Sequence, residues 1–207
     1  MRSAVLIHGH HLQAPEWSTL VWGTSGLKKV GRIPRGIEVA IQEDAVAIIW
    51  GTGASTDQAS GLKESEFTYA YALRYIEELS RILECDTKIL DHFITSRSRL
   101  QLTTQNTKEE IQEALAFCNS ERVERLYLVS SPTHVPRCLL TACQMAEAYP
   151  EIELFGVAAS SAVVFWDPKD VVVIEPPHRP DRSDMPFHVL AKRMLSVRKY
   201  PDRSPQL

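Results

Sequence analysis

The sequence predicts a doubly wound α/β domain, in which a mainly parallel sheet is flanked by helices. Short apolar runs alternate with longer amphipathic segments along the chain, and this alternation is typical of parallel sheets covered on both faces. The chain has 207 residues, of which 44% are hydrophobic and 24% charged, which suffices for one core without a disulfide or metal. We expect a single domain over residues 1–200 and a frayed tail over 201–207.

The predicted strands are short apolar runs bounded by glycine or polar residues. They lie at 4–7, 45–50, 88–91, 125–129 and 153–157, with a further candidate at 171–174. The predicted helices have apolar residues spaced by three and four. They lie at 34–43, 64–83, 106–118, 133–149 and 187–196.

Two helices carry additional local signals. In the segment 64–83, an apolar face is formed at helical spacing by Tyr69, Ala72, Ile76, Leu79 and Leu83. The segment 106–118 begins with Thr107 and Glu110 at the spacing of a capping box. Residues 12–29 have weaker periodicity and predict a loop with a short helix.

Composition excludes several classes of protein. The formal net charge is −3, so the chain as a whole lacks the basic footprint of a nucleic-acid-binding protein. No apolar run approaches the ~18 residues of a membrane helix, and the N-terminal apolar run is too short for a signal peptide. We therefore expect a cytoplasmic protein without membrane insertion. Its cysteines are expected to be reduced thiols: Cys85, Cys118, Cys138 and Cys143.

Polar residues follow the apolar runs at the predicted carboxyl ends of the strands. They form four groups, at 8–11 (His-Gly-His-His), 51–55 (Gly-Thr-Gly-Ala-Ser), 91–92 (Asp-His) and 130–137 (Ser-Ser-Pro-Thr-His-Val-Pro-Arg). Doubly wound folds bind ligands beyond the carboxyl ends of their strands. We therefore expect the four groups to meet in one crevice.

The group at 130–137 is typical of an anion site. Ser130 and Ser131 end a strand, and a helix is predicted to begin near Thr133. His134 and Arg137 are three residues apart and so share a face of that helix. Free backbone N–H groups at a helix start, serine hydroxyls, an imidazole and a guanidinium all suit a phosphate or carboxylate. The alternative is a helix cap followed by two surface side chains.

Two further chemistries remain open. The Gly-Thr-Gly turn at 51–53 has the start of a dinucleotide-binding fingerprint, although Thr56 stands where the third glycine belongs. A tight turn is the simpler interpretation. Separately, the three histidines His8, His92 and His134 fall near predicted strand ends and, with an acid, could bind a transition metal.

Taken in order, these motifs resemble the YdcF, SanA and ElyC group of bacterial proteins over about residues 4–160. That family has an early arginine before a helix, a strand ending in Ser-Gly-Gly, a Ser-Glu that opens a helix, a Thr-x-Glu-Asn element and a final Ser-x-x-His-x-x-Arg. The matching positions are Arg35, Gly51-Thr52-Gly53, Ser65-Glu66, Thr103-Thr104-Gln105-Asn106 and 131–137. The chain departs from the pattern where Gln105 replaces the glutamate and histidines follow the first strand. Without a hydrophobic N-terminal anchor, it is most similar to the soluble YdcF branch.

The resemblance implies a Rossmann-like domain with a small-molecule site. YdcF-like proteins are associated with S-adenosylmethionine, whereas SanA and ElyC are linked to envelope barrier function. If the protein is an enzyme, His134 is expected to be the acid or base, since the unperturbed pKa of histidine is about 6.5, and Glu66 is the second residue expected to be catalytic. The ligand-binding residues implied are Arg35, Gly51, Thr52, Gly53, Asn106, Ser130, Ser131 and Arg137. Helix capping is the simpler alternative for Asn106, and a first-turn acid is the simpler alternative for Glu66.

We therefore expect a protein that binds a small anionic or nucleotide-like ligand such as S-adenosylmethionine; the sequence leaves open whether it is an enzyme. One alternative is a metal-dependent hydrolase that uses His8, His92 and His134. The other is a non-catalytic partner-binding module in envelope physiology, to which Trp17 and Trp22 point if they are exposed. The sequence identifies no protein partner.

Overall fold

The computed structural model describes residues 1–14, 17–24 and 29–159, and the backbone at 172–173 and 185–186. In chain order the elements are β1 (Ser3–Ile7), α1 (Trp17–Val21), β2 (Gly23–Thr24), β3 (Lys29–Val30), α2 (Arg32–Gln42), β4 (Ala47–Trp50), α3 (Glu64–Arg74), α4 (Ile76–Ile82), α5 (Thr87–Arg97), β5 (Ser98–Leu100), α6 (Thr107–Glu121), β6 (Arg125–Ser130), α7 (Val135–Met145), a 3₁₀ turn (Ala146–Ala148), β7 (Glu153–Ala158), β8 (Val172–Val173) and β9 (Met185–Pro186).

The main sheet has five parallel strands in the order β5-β4-β1-β6-β7. The central strand β1 pairs with β4 on one side and β6 on the other, so that Val5 lies opposite both Ile48 and Tyr127. From β1 the chain first builds one half of the sheet and then crosses to the other. The direction reverses between β1 and β6, and a crevice beyond the carboxyl ends of such strands is the usual ligand position.

The sheet is covered on both faces because adjacent side chains of a strand point to opposite sides. Val5 and Ile7 pack with residues of α2 and of the helices that follow β4. Ala4 and Leu6 pack with residues of α6 and α7. The prediction of a doubly wound, Rossmann-like α/β fold is thus confirmed, and its strands at 4–7, 45–50, 125–129 and 153–157 are found within one or two residues of their expected ends.

The third predicted strand was wrong. Residues 88–91 belong to α5, whose first turn is capped by Asp86, with its carboxylate accepting from the N–H groups of Lys88 (2.9 Å) and Ile89 (3.1 Å). The strand that pairs with β4 is Ser98–Leu100 instead. Because this side-chain cap satisfies N–H groups that the first turn of a helix leaves without an intrahelical partner, Asp86 favours the helix.

Three helix predictions also need adjustment. The segment 64–83 is divided into α3 and α4 at Tyr75. The predicted box of Thr107 and Glu110 does not cap α6, because Asn106 is the N-cap and accepts from the N–H of Glu109 at 3.1 Å. The helix expected from 133 begins at Val135 and ends at Met145.

The remaining sequence expectations have mixed outcomes. All four cysteines are free thiols. Residues 172–173 do form a strand, but it pairs with β9 outside the main sheet. The predicted helix 187–196 and the tail 201–207 lie outside the described residues. Within the described part of the chain, no helix has the length and apolar character needed to cross a membrane.

Candidate functional site

The centre of the candidate site is a buried pair between His8, directly after β1, and Glu110, on α6. His8 Nδ1 lies 2.6 Å from Glu110 Oε2, and neither side chain is more than 4% exposed. Burial alone would lower the pKa of His8, but Cys138 and Glu110 outweigh it and raise that pKa to about 10. His8 is therefore an imidazolium at neutral pH. Its Nε2 has no hydrogen-bond partner among the described residues.

Arg32, the first residue of α2, ties the ends of β1 and β6 together. Its Nε donates to Ser131 Oγ at 3.0 Å, and its Nη1 donates to the carbonyls of His8, at 3.1 Å, and of Gly9. The residue is 3% exposed. A guanidinium remains charged even when buried, so Arg32 places a fixed positive charge where β1 and β6 end.

His134 precedes α7 and has both ring nitrogens engaged. Arg137 Nη2 lies 2.9 Å from His134 Nε2, and Ser130 Oγ lies 2.8 Å from His134 Nδ1. Since a guanidinium can only donate, Nε2 accepts and Nδ1 carries the proton. Burial, followed by the charges of Arg137 and Arg32, holds the pKa of His134 well below its usual range. The ring is therefore neutral and links Arg137 to Ser130.

Glu64, the first residue of α3, brings a second buried carboxyl group next to Gly9, where Glu110 and Arg32 also lie. We call this region around Gly9 the corner. Ser55 Oγ donates to Glu64 Oε2 at 2.5 Å, whereas Oε1 has no hydrogen-bond partner among the described residues. The side chain is 1% exposed. Burial raises the pKa of Glu64 to about 8, although the bond from Ser55 opposes the rise. Glu64 is thus mainly a neutral acid at pH 7.

Three charged or acidic side chains converge on Gly9. Arg32 donates to its carbonyl, Glu110 Oε1 accepts from its N–H at 3.3 Å, and a β-carbon at this position would overlap Glu64 Oε1. Only glycine fits here, so the Gly in the polar group after β1 has a packing role. Next to it, burial and the charge of Arg32 lower the pKa of His10 to about 3.

Part of the residue set expected from the sequence meets at this corner. Ser130 and Arg137 are both bonded to His134, and Ser131 is bonded to Arg32. At Gly51 a β-carbon would overlap the carboxylate of Glu110.

The turn after β4 is fixed by backbone contacts. Thr52 Oγ1 donates to the carbonyl of Thr104 at 2.6 Å, and Gly53 lies against the backbone of Leu102. The turn therefore holds β4 against the loop before α6, and its glycine positions are explained by packing.

Three other expected residues lie in different surroundings. Arg35 is partly exposed and pairs with Glu38 at 2.5 Å. Glu66 is half-buried and accepts from the backbone N–H of Lys63 at 2.8 Å. Asn106 caps α6 and also donates to Glu109 at 2.6 Å. Each has a local structural role.

The sequence patterns do not single out three residues of the corner: Arg32, Glu64 and Glu110. Arg32 begins its helix three residues before Arg35, and Glu64 begins its helix two residues before Glu66, so helix phase is the signal that separates each pair. Glu110 has the spacing of a capping residue, and only the fold reveals its pairing with His8.

One expectation about α7 is corrected. The backbone N–H groups of His134 and Val135 donate to the carbonyl of Ser131, at 2.9 and 3.0 Å. The N–H of Arg137 likewise donates to the carbonyl of His134. The first N–H groups of the helix are therefore occupied, and the donors in this corner are side chains.

The two alternative functions receive no structural support. His92 is exposed on α5 and does not join His8 and His134, and no group of three or more metal-ligating side chains occurs among the residues that the structure describes. Trp17 and Trp22 are each 8% exposed and pack against Tyr71, with ring centroids 5.2 and 5.4 Å away. The condition under which these tryptophans would point to a partner is therefore not met, because they pack onto α3.

Comparison with known proteins adds no identity: the chain matches no protein-family model, no curated protein and no solved structure.

Proposed function

We propose that this protein binds a small anion at the carboxyl ends of β1 and β6. The observation that carries the proposal is the cationic ring of His8, whose buried Nε2 has no hydrogen-bond partner among the described residues. Arg32 is a second buried cation, bonded to the carbonyl of His8, while Glu64, His10 and His134 are mainly neutral at pH 7. A buried donor left without a partner on a charged ring is costly, and an anionic ligand would satisfy it.

The available polar atoms suit an oxyanion. His8 Nε2 carries a proton when the ring is an imidazolium, and it is buried without a partner among the described residues. Ser130, at the end of the neighbouring strand β6, and Ser131, directly after it, add two hydroxyl groups. Hydrogen bonds from charged donors to an oxyanion are short and strong, so this set favours a phosphate or carboxylate over a neutral ligand.

The cations of the site also indicate which of the ligands implied by the resemblance to YdcF-like proteins should bind better. S-adenosylmethionine has a carboxylate but also carries an ammonium and a sulfonium group, which the arginines would repel. A phosphorylated nucleotide-like compound complements the site better. We therefore propose phosphorylated small molecules as the first class to test, with S-adenosylmethionine as the second.

The site also has groups that exchange protons. Glu64 has a pKa near 8, and acids whose pKa lies near the working pH are the most effective in proton transfer. If the ligand undergoes a reaction, Glu64 and His8 are the groups we propose as proton donors. His134 is less suited to this role because both of its nitrogens are occupied.

A thermal-shift titration tests the proposal. The panel contains phosphate, AMP, ribose 5-phosphate, S-adenosylmethionine and S-adenosylhomocysteine. We expect the phosphorylated compounds to raise the melting temperature, since a ligand at 100 times its dissociation constant adds about 2.7 kcal/mol of stability. Arg137→Ala should weaken that binding by about 1.5–3 kcal/mol, the contribution of one charge-assisted hydrogen bond.

Arg81→Ala is the matched control, because Arg81 is an exposed arginine on α4. It should bind as the unmodified protein does. No shift with any anion, or an equal loss in both variants, would contradict the proposal.

A further inference from the structure

The corner that contains Gly9 has a feature that its cations do not explain, namely the buried carboxyl group of Glu64, whose Oε1 has no hydrogen-bond partner among the described residues. We infer that Glu64 binds the anion directly, as a neutral carboxylic acid that donates a hydrogen bond from Oε1. The inference rests on the proposed anion site and adds to it a specific donor and a preference for ligands whose oxygens can accept a proton.

The direction of the hydrogen bonds places the proton of Glu64. The backbone N–H of Leu12 donates to one of the two lone pairs of Ser55 Oγ at 3.1 Å. Ser55 Oγ then donates to Glu64 Oε2 at 2.5 Å. Because Oε2 accepts the hydrogen bond from Ser55, we place the proton of the neutral acid on Oε1.

Oε1 is then a donor with nothing to donate to among the described residues. Buried polar atoms without partners are rare in folded proteins, and each calls for an explanation such as a ligand. His8 Nε2 and His10 Nε2 are also buried without partners. All three atoms belong to residues that flank or contact Gly9, so a single oxyanion at this place would satisfy several of them.

The groups around Glu64 favour its neutral form. Burial has the largest effect, and the carboxylate of Glu110 acts in the same direction, whereas Ser55, Arg32 and a backbone hydrogen bond from His10 oppose them. The result is a pKa of about 8. His10, on the loop after β1, is neutral at this pH, and His8 remains charged up to a pKa of about 10.

Ionisation would reverse the role of Glu64. Below its pKa the acid offers a hydrogen to the bound oxyanion, and above it the group becomes a carboxylate that repels the ligand. Anion affinity should therefore fall as the pH rises through about 8. The arginines keep their charge throughout this range, so they cannot cause the fall.

Sulfate is the probe of choice, because its charge is constant over the relevant pH range. Its dissociation constant is measured by calorimetry at about pH 6.5 and about pH 9. We expect the unmodified protein to bind about tenfold more weakly at the higher pH, since each pH unit above the pKa reduces the protonated fraction about tenfold. Glu64→Gln retains an N–H donor that does not ionise, and its affinity should change less than about twofold.

Two comparisons complete the test. Glu77→Gln alters an exposed carboxylate on α4 and should follow the unmodified protein. Ser55→Ala removes the bond that lowers the pKa of Glu64, so the midpoint of the affinity profile should move to higher pH. This second variant tests the inference even if Glu64→Gln does not fold.

Inorganic phosphate and AMP, titrated in the same way at about pH 6.5, distinguish a free oxyanion from a phosphate ester as the preferred ligand. An equal loss of sulfate affinity in the unmodified protein and in Glu64→Gln, or an unmoved midpoint in Ser55→Ala, would overturn the role of Glu64 while leaving the anion site intact. Failure of the unmodified protein to bind any of the three anions at either pH would overturn the anion site itself.

Discussion

Arg32 and Arg35 are three residues apart in the first half of α2, yet their side chains have different surroundings and different structural roles. Arg32 is 3% exposed and bonds Ser131 and two backbone carbonyls. Arg35 has a side chain that is 32% exposed and pairs with Glu38 on the same helix. A sequence pattern that contains both does not reveal which one enters the interior.

The two arginines should therefore differ in their contribution to stability. Arg32→Ala leaves buried acceptors without their donor and should lower the free energy of unfolding by about 3–5 kcal/mol. Arg35→Ala removes an exposed pair and should cost less than about 1 kcal/mol. Urea denaturation of both variants measures the difference. Equal losses would show that Arg32 does not hold the strand ends together.

A second prediction at the residue scale is that Glu64 makes the free energy of unfolding depend on pH. Its pKa is about 8 in the folded protein and 4.5 when unperturbed, so between these values the folded state binds more protons than the unfolded state. The contribution of Glu64 to the free energy of unfolding is complete below pH 4.5 and falls by up to about 1.4 kcal/mol per pH unit until pH 8.

Glu64→Gln should remove this contribution. His8, whose raised pKa acts in the same direction between 6.5 and about 10, and His10, whose lowered pKa acts oppositely between about 3 and 6.5, are present in both proteins. The difference between the two stability profiles therefore isolates Glu64. Parallel profiles over the whole interval would mean that the carboxyl group titrates normally.

At the scale of single elements, α5 is where sequence reasoning and structure diverge most. Ile89 and Leu90 form an apolar run of two between polar residues, which suggested a short strand. In the structure Leu90 and Ile94 face inward, whereas Ile89 is 69% exposed. A run of that length cannot distinguish a strand from one turn of an amphipathic helix, and the cap at Asp86 decides in favour of the helix.

This arrangement predicts unequal effects for two isoleucines of α5. Ile94→Ala creates a cavity in the core and should cost about 2–5 kcal/mol. Ile89→Ala removes an exposed side chain and should change stability by less than about 0.5 kcal/mol. Thermal or urea unfolding distinguishes them. A larger loss for Ile89→Ala would favour the strand over the helix.

At the scale of the whole molecule, the sheet could be predicted well because four of its strands contain short, uninterrupted or nearly uninterrupted apolar runs, as in Ala47–Trp50. The edge strand Ser98–Leu100 could not, since Leu100 is its only apolar residue and only pairing with β4 defines it. The same applies to the site: serines and a histidine at the end of β6 are visible locally, whereas the pairing of His8 with Glu110 joins residues 102 positions apart.

The central claim is that an anion binds where β1 and β6 end, and the histidine rings report on it directly. Phosphate is titrated while the ring signals of the histidines are followed by NMR. We predict that the signals of His8, His10 and His134 shift together, and that bound anion raises the pKa of His134 by offsetting Arg137 and Arg32. The signal of His92, exposed on α5, should remain unchanged. Shifts of His92 alone, or no shift of the three site histidines at saturating phosphate, would contradict the account.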